Sequence, residues 1–139
     1  MIFTYPMNNT PRNFFPLPNE IFCLGLTPGE LAVYMFLMRC ENRKTYQCHP
    51  SYKTISRAVH LSRNTVARHV ASLEEKGLIK TQPTEIVTKD GERRNGTLLY
   101  TILPIEDAIR RHHEEQVRRA GEECARRKLR QMQEEYARR

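Results

Sequence analysis

The feature that most constrains the fold is a pair of helices that a very short turn joins in the middle of the chain. The segment Ser51–Val59 has the apolar spacing of a short helix, whose buried face is expected to hold Ile55, Ala58 and Val59. A turn at His60–Leu61 follows. Because so short a turn prevents the next helix from continuing in line, the two helices are expected to cross and pack together.

The second helix has clear start and stop signals. Ser62 is a good N-cap, because its hydroxyl accepts a hydrogen bond from an N–H group of the first turn. The helix is predicted to run from Arg63 to about Lys76, and Gly77 then supplies the left-handed residue that commonly ends a helix. Its apolar stripe consists of Val66, Val70 and Leu73, which leaves the opposite face to polar side chains.

The residue pattern changes after this helix to one typical of strands. Segments 78–82 and 96–103 are predicted to be strands, and the polar, turn-rich segment 89–96 connects them. Helix, turn, helix and hairpin in this order predict a winged helix-turn-helix. The fold class is therefore mainly α with a small β-hairpin wing (α+β), followed by a long charged C-terminal helix.

A further helix is predicted before this block. Residues 27–30 read Thr-Pro-Gly-Glu, which is a capping box with proline at the first helical position. The residues that follow are apolar around most of the circumference, so this helix is expected to be central to the core and to end near Glu41–Asn42. Residues 45–49 have the composition of a short strand.

The two ends of the chain differ from the middle, and three parts are predicted: 1–26, 27–103 and 104–139. Residues 1–26 contain four prolines, which predicts an extended arm lying on the core through Phe14, Phe15, Ile21 and Phe22, or else a partly ordered tail. In residues 104–139 each acidic pair precedes an arginine pair by four residues, which favours an exposed helix. That helix is predicted to be single, with a weak coiled-coil dimer as the alternative.

Charge and composition exclude several classes of protein. The net charge is +7, and residues 51–103 contribute +4 of it from nine basic and five acidic side chains, which favours a polyanionic partner. The four cysteines lack metal-ligand spacing, so they are expected to be buried or neutral thiols, with no metal site and no cofactor. No phosphate loop or nucleophile–base motif is present, so an enzyme is not expected. The absence of a membrane span and of a secretory signal predicts a cytoplasmic, nucleoid-associated protein.

The outward face of the second helix is the candidate for reading DNA. Arginine pairs with guanine through two hydrogen bonds, asparagine does so with adenine, and threonine reaches a thymine methyl group or a phosphate. Asn64, Thr65 and Arg68 are the first choices for base contacts, and Arg63 is expected to be shared between base and phosphate. The complete predicted set of DNA-binding residues is Ser51, Tyr52, Lys53, Ser62, Arg63, Asn64, Thr65, Arg68, His69, Lys89, Arg93 and Arg94.

Two further roles, besides base reading, are distinguished within this set. The start of the 51–59 helix, with a hydroxyl, an ammonium group and free N–H groups, is a natural phosphate clamp. Lys89, Arg93 and Arg94 are expected to follow the backbone or to enter the minor groove. Two residues of the set have a plainer alternative: Tyr52 could be a core residue, and His69 an ordinary surface side chain.

Three segments carry a resemblance to a known family. They are residues 49–55 (HPSYKTI), 61–66 (LSRNTV) and 73–79 (LEEKGLI). They resemble bacterial winged helix-turn-helix proteins, most closely the small replication-initiator-like and regulator-like proteins of plasmids, phages and integrative elements. The resemblance extends over residues 14–103, and similar signals occur in GntR-type regulators. It implies binding of double-stranded DNA with the 62–76 helix in the major groove. GntR-type regulators carry a large effector domain after the wing, where this chain has only a charged helix, which argues against small-molecule sensing.

Two functions follow as alternatives. The first is a sequence-specific DNA-binding protein, either a transcriptional regulator or a replication initiator of a mobile element. It is expected to be a homodimer, because one module covers little sequence; the first helix, the N-terminal arm and the C-terminal helix are the candidate interfaces. The second is an adaptor that docks a protein partner through the C-terminal helix.

Overall fold

A computed structural model describes residues 14–139. The first element among these residues is a short 3-10 helix, Asn19–Cys23. The α-helices are α1 (Pro28–Cys40), α2 (Tyr52–Val59), α3 (Arg63–Glu75) and α4 (Ile105–Arg138). The strands are β1 (Gln47–Cys48), β2 (Ile79–Gln82), β3 (Glu85–Val87), β4 (Arg93–Asn95) and β5 (Leu99–Ile102). The first half of the predicted arm, residues 1–13, lies outside the described residues.

The arrangement is a winged helix-turn-helix, as the sequence predicts. Helices α1, α2 and α3 pack on one another, and an antiparallel sheet of order β1-β5-β2 closes the helical unit. Ile79 pairs with Ile102 and Gln82 with Leu99, so β2 and β5 form the base of the wing. The predicted fold class, mainly α with a small β-hairpin wing and a long C-terminal helix, is confirmed.

Each of the three helices in the packed unit begins at the hydroxyl residue that the sequence indicates. Thr27 accepts a hydrogen bond from the N–H of Glu30 at 3.3 Å, Ser51 from Thr54 at 3.1 Å, and Ser62 from Thr65 at 3.2 Å. These bonds satisfy N–H groups that have no partner inside the helix. Gly77 ends the α3 segment with a φ of +80°.

The wing is longer than predicted. Part of the segment expected to be a turn is strand β4, whose Arg93 pairs with Val87 and whose Asn95 pairs with Glu85 of β3. The reversal is confined to the few residues between Thr88 and Glu92, where Thr88 donates its N–H to the carbonyl of Glu92 at 2.9 Å. Gly91, with a φ of +82°, permits this tight reversal, so the polar residues after it pair by their backbone.

The core draws on all three predicted parts of the chain. The buried apolar residues are Ile21, Leu24, Val33, Tyr34, Leu37, Cys48, Ile55, Val66, Val70, Leu73, Leu78, Ile79, Tyr100 and Ala108. Ala58 is exposed, so its predicted place in the core is wrong. The eight-residue helix α2 turns Ile55 fully inward, and the half-buried Val59 rather than Ala58 lies beside it.

The N-terminal segment contacts the core through different residues from those predicted. Ile21 is buried as expected, but Phe14 and Phe22 are exposed and Phe15 is only half-buried. Successive residues of a 3-10 helix point about 120° apart, so a buried Ile21 turns Phe22 outward. Leu24, just after the 3-10 helix, is the second anchor.

Helix α4 is continuous over 34 residues, and Gly121 does not interrupt it. Only its first turns reach the core, through Ala108 and the partly buried Ile105 and Ile109. Every residue from 116 onward is exposed. Two of the predicted four-residue charge pairs form, Glu115 with Arg119 at 3.2 Å and Glu123 with Arg127 at 2.7 Å.

Candidate nucleic-acid interface

The exposed face of α3 is the centre of the candidate interface. Val66, Val70 and Leu73 are buried, as predicted, and the helix therefore turns its other face to solvent. Arg63, Asn64, and Arg68 are exposed, and Thr65 is half-buried. A guanidinium N–H of Arg68 donates to Oγ1 of Thr65 at 3.3 Å, so the two side chains lie together on this face.

The N-termini of α2 and α3 are built alike. In both helices a serine cap is followed three residues later by a threonine, and the two hydroxyl oxygens lie 2.9 Å apart in α2 and 2.8 Å apart in α3. Ser51 and Ser62 are thus engaged as caps, while Lys53 beside the first is exposed. Tyr52 packs partly against the core. A helix N-terminus with uncommitted N–H groups attracts anions.

His69 is placed differently from the other α3 candidates. Its side chain is half-buried, and a Cβ added to Gly29 of α1 would lie 2.3 Å from its Nε2. The imidazole therefore packs on the α1 backbone, away from the exposed face that carries Arg68. His69 is therefore only partly open to solvent, because position 69 borders the buried stripe formed by Val66 and Val70.

The wing carries the remaining candidates. Lys89 lies at its tip, and Arg93 and Arg94 are neighbours on β4, all three exposed. Neighbouring residues of a strand point to opposite faces, so each face of the β3–β4 ribbon presents one arginine. Arg94 lies 3.6 Å from Glu92, and both side chains are mostly exposed. Such a pair is worth little, so it leaves the arginine able to bind another anion.

Three interactions that sequence reasoning missed hold α3 in place. Glu30 is buried and forms a 2.6 Å ion pair with Lys76 at the end of α3. The sequence assigns Glu30 to a capping box, and no sequence signal indicates its partner 46 residues away. Glu74 accepts hydrogen bonds from the N–H and the hydroxyl of Thr81, each at 3.0 Å, and so joins α3 to the base of the wing.

The third interaction comes from α4. A guanidinium N–H of Arg111 donates to the carbonyl of Glu75 at 3.0 Å. The same side chain covers Gly77, where an added Cβ would lie 2.3 Å from Nη1. Arg111 thus caps the C-terminus of α3, where a cation is favourable for the helix dipole.

A cavity of about 590 Å³ lies beside this contact. Its walls come from the link after the 3-10 helix, the end of α3 and the first half of α4. Cations and carboxylates both line it, with Lys76 and Arg111 near Glu75 and Glu115. Because side chains of both signs line the cavity, its charge favours neither an anionic nor a cationic ligand.

Three ionisable side chains, in α1, just after it and in β1, have raised pKa values. Burial raises the pKa of Tyr34 to about 12 and that of the Cys48 thiol to about 12, and both are further raised by nearby Glu41. Burial also raises the pKa of Glu41 itself, while Arg43 opposes the shift. Cys48 is therefore a neutral thiol at physiological pH, as predicted for buried cysteines, whereas Cys23 and Cys124 are exposed.

The described residues show neither a metal cluster nor a membrane helix. Between residues 14 and 139 no group of three or more histidine, cysteine or acidic side chains is arranged to hold a metal ion. In the same part of the chain no helix is both long enough and apolar enough to span a bilayer.

Comparison with known proteins agrees with this architecture. The model of a family described as a helix-turn-helix domain matches residues 24–79, which run from Leu24 through α1, α2 and α3 to the start of β2. The likeness to this family is therefore limited to residues 24–79. The match supports the resemblance to winged helix-turn-helix proteins that the sequence motifs indicate. No curated protein sequence matches the chain.

Solved structures resemble this chain over 76–82% of its length. One is described as a possible transcriptional regulator from Methanosarcina mazei, with 22% identity over 76% of this chain and 82% of that one and a TM-score of 0.49. A MarR-family regulator from Silicibacter pomeroyi has 15% identity over 79% and 75%, with a TM-score of 0.41. A cysteine-to-serine mutant of Lactococcus lactis ZitR in complex with DNA has 18% identity over 82% and 70%, with a TM-score of 0.39.

Proposed function

We propose that this chain binds double-stranded DNA with sequence specificity and acts as a transcriptional regulator. The observation that carries the proposal is the open face of α3, where Asn64 and Arg68 are exposed while the opposite side of the helix is buried. A helix that presents amide and guanidinium groups in this way matches the edges of bases in the major groove. The helix-turn-helix domain match adds support, because the matched residues include all of α3.

The proposal divides the candidates into base-reading and phosphate-binding groups. Asn64, Thr65 and Arg68 read bases, and Arg63 is shared between base and phosphate. Ser51, Tyr52, Lys53 and Ser62 lie at the helix N-termini and bind phosphates through N–H groups and the lysine ammonium. Lys89, Arg93 and Arg94 bind the backbone or enter the minor groove. His69 acts on this interface only through its contact with α1.

The biological setting is a finer part of the proposal. A replication initiator or a regulator of a mobile element would use the same interface, and the resemblance of the 49–79 motifs is what suggests that setting. A homodimer is also proposed, because two modules cover a longer and more specific site than one. An adaptor role remains the second candidate, since the exposed length of α4 offers a surface that DNA binding does not require.

The first test selects bound sequences from a random duplex pool at two salt concentrations. Recovery of one motif at both concentrations is expected. If the protein retains DNA in a salt-sensitive way but no motif is recovered, sequence-specific reading is contradicted. Contacts to phosphates alone are enough to give such salt-sensitive binding. Absence of any binding would overturn the DNA-binding proposal and favour the adaptor.

Two arginine variants separate the proposed roles. Arg68→Ala is expected to weaken binding to the selected motif by about 1–3 kcal/mol and to relax the preference at one base position. Arg93→Ala is expected to weaken binding to all sequences similarly and to reduce the salt slope by about one. Fluorescence anisotropy on cognate and random duplexes measures both.

Arg39→Ala is the matched control, because Arg39 is an exposed arginine on α1 outside the proposed interface. It should leave both affinities close to those of the unmodified protein. Equal losses for Arg68→Ala and Arg93→Ala on cognate and random DNA would show that the division between base and phosphate contacts is wrong.

A further inference from the structure

The distal part of α4, residues 116–138, packs against no other element in the described part of the chain. All of its residues are exposed, including four large apolar side chains, Val117, Leu129, Met132 and Tyr136, each more than half exposed. Nothing lies within 4 Å of the position of a Cβ on Gly121. Most of the stability of helices in proteins comes from packing of an apolar face, so a partner that covers the apolar positions would stabilise this segment.

The apolar positions recur at intervals of eleven residues. Eleven residues make three turns of about 3.67 residues, so positions with this spacing form a stripe that stays on one side of the helix. Two pairs have this spacing, Gly121 with Met132 and Ala125 with Tyr136, while Lys128, eleven residues after Val117, is a charged residue within the stripe. Cys124 and Leu129 border it.

The two halves of the stripe differ in size. The first half has small side chains, Gly121, Cys124 and Ala125, and the second half has the large ones, Leu129, Met132 and Tyr136. Two parallel copies in register would set small residues against small ones and leave voids, which close packing disfavours. Two antiparallel copies set each large side chain against a small one.

The charges along α4 favour one antiparallel register. When Val117 lies level with Tyr136 of the partner subunit, Gly121 lies level with the partner's Met132 and Cys124 with the partner's Leu129. Oppositely charged residues are then level at five positions and their symmetry equivalents. These are Glu114 with Arg139, Glu115 with Arg138, Arg118 with Glu135, Arg119 with Glu134, and Glu123 with Arg130. At about 100° per residue, the first and third of these pairs lie on the face of the stripe, whereas the other three lie on the flanks or the far side of the helices and do not contribute across the pair.

Other arrangements lose this complementarity. A shift of four residues in either direction sets glutamates against glutamates and arginines against arginines, and a parallel pair in register does so at every charged level. In the favoured register Arg126 and Arg127 are the one like-charged level among the residues that overlap, and they lie at the two-fold axis. Like charges that face each other are unfavourable, so the register is set by charge as well as by size.

We propose that a second copy of this chain covers the distal part of α4 in an antiparallel helix pair, with Val117 level with Tyr136 of the partner subunit. This deepens the homodimer of the proposed function by naming its interface. The pair forms without DNA, so the experiments below are done in its absence, and their failure is distinguishable from a failure to bind DNA.

Light scattering after size exclusion tests the stripe. The protein is expected to be a dimer at micromolar concentration, and Met132→Glu is expected to shift it to monomer. Ala137→Glu is the matched control: it adds the same charge to the same helix, but five residues further on, about 140° around the axis from Met132. It should remain dimeric.

A monomeric unmodified protein would overturn the proposal, and so would a Met132→Glu variant that stays dimeric. Loss of the dimer in both variants would also overturn it, because the stripe would then not be the interface. Circular dichroism checks that the core is intact, which is expected because both positions are far from every buried residue.

Cysteine cross-linking under a mild oxidant tests the direction of the pair. The exposed cysteines are first removed as Cys23→Ser and Cys124→Ser. In this background a chain carrying both Val117→Cys and Tyr136→Cys is expected to form cross-linked dimers, whereas Val117→Cys alone is expected to stay uncross-linked. Efficient cross-linking by Val117→Cys alone would show a parallel pair and overturn the proposed register.

Discussion

At the scale of single residues, the most informative group lies outside the proposed DNA interface. Glu41 follows α1, and its Oε2 atom is buried with no hydrogen-bond partner among residues 14–139. Burial raises the pKa of this carboxyl group, and Arg43 offsets only part of the rise. The fold therefore binds the proton of Glu41 more tightly than the unfolded chain does.

The sign of the pH dependence follows from linkage. A raised pKa in the folded state contributes stability that is present below the pKa of the unfolded chain and is lost as the pH rises through the folded value. Glu41→Gln keeps the shape and removes the charge. We expect this variant to be more stable than the unmodified protein at pH 7–8, with the difference shrinking as the pH falls towards 4.

Urea unfolding at a series of pH values measures this difference. Glu85→Gln serves as the control, because it makes the same change at an exposed position on the wing. A stability difference for Glu41→Gln that is the same at pH 4 and pH 8 would contradict the interpretation that ionisation of a buried carboxyl group is its source.

At the scale of elements, the sequence predicted those features of the helices that depend on residues close together in the chain. The starts of α1, α2 and α3 follow from hydroxyl caps within the same turn, and the buried stripe of α3 follows from its periodicity. Strand β4 was missed because its residues, Arg93, Arg94 and Asn95, include none of the β-branched or aromatic residues that favour strands, and backbone pairing after the Gly91 reversal decides their conformation. Local propensity carries no information about that pairing.

In the candidate interface, too, the sequence predicts local features but not contacts between separate elements. The exposed face of α3 was predictable, since it is the complement of the apolar stripe. The packing of His69 on Gly29 was not, because it depends on how closely α1 crosses α3. The ion pair of Glu30 and Lys76 likewise joins two elements that only the fold brings together.

The contact between α4 and the end of α3 leads to a prediction about these elements. Gly77→Ala would place a Cβ at a positive φ and against the guanidinium of Arg111. We expect it to lower the free energy of unfolding by about 1–3 kcal/mol, from backbone strain and displacement of Arg111 together. Thermal or urea unfolding measures the change.

A double-mutant cycle with Arg111→Ala separates the two causes. In that background the side chain that the new Cβ would meet is absent, so Gly77→Ala should cost only the strain of the left-handed backbone, about 1–2 kcal/mol. Strictly additive effects of the two substitutions would mean that Arg111 and position 77 do not interact.

At the scale of the whole molecule, the proposed helix pair fixes how far apart two DNA-binding units lie. With Val117 level with Tyr136 of the partner subunit, the two Ile105 residues are separated by about 65 Å along the pair, at about 1.5 Å per residue. Two turns of DNA measure roughly 70 Å. With α4 lying along the duplex, we expect the preferred site to be an inverted repeat whose half-sites are centred about two helical turns apart.

Duplexes with the half-sites separated by one, one and a half, two or three turns test this spacing. The dimer should bind the two-turn duplex most tightly. Met132→Glu should keep its affinity for a single half-site and lose the spacing preference, while Ala137→Glu should retain both. Equal affinity for the one-and-a-half-turn and two-turn duplexes would contradict the spacing.

In the proposed dimer, the length of α4 sets the distance between the two DNA-binding units. Inserting one eleven-residue unit between Ile105 and Val117 adds three helical turns, which leaves each DNA-binding unit facing nearly the same way around the rod. Both arms of the dimer lengthen, so the units move apart by about 33 Å, close to one turn of DNA. In the proposed dimer the spacing of the half-sites therefore depends on the number of residues in α4, and each eleven-residue insertion is expected to change it by about one repeat of the double helix.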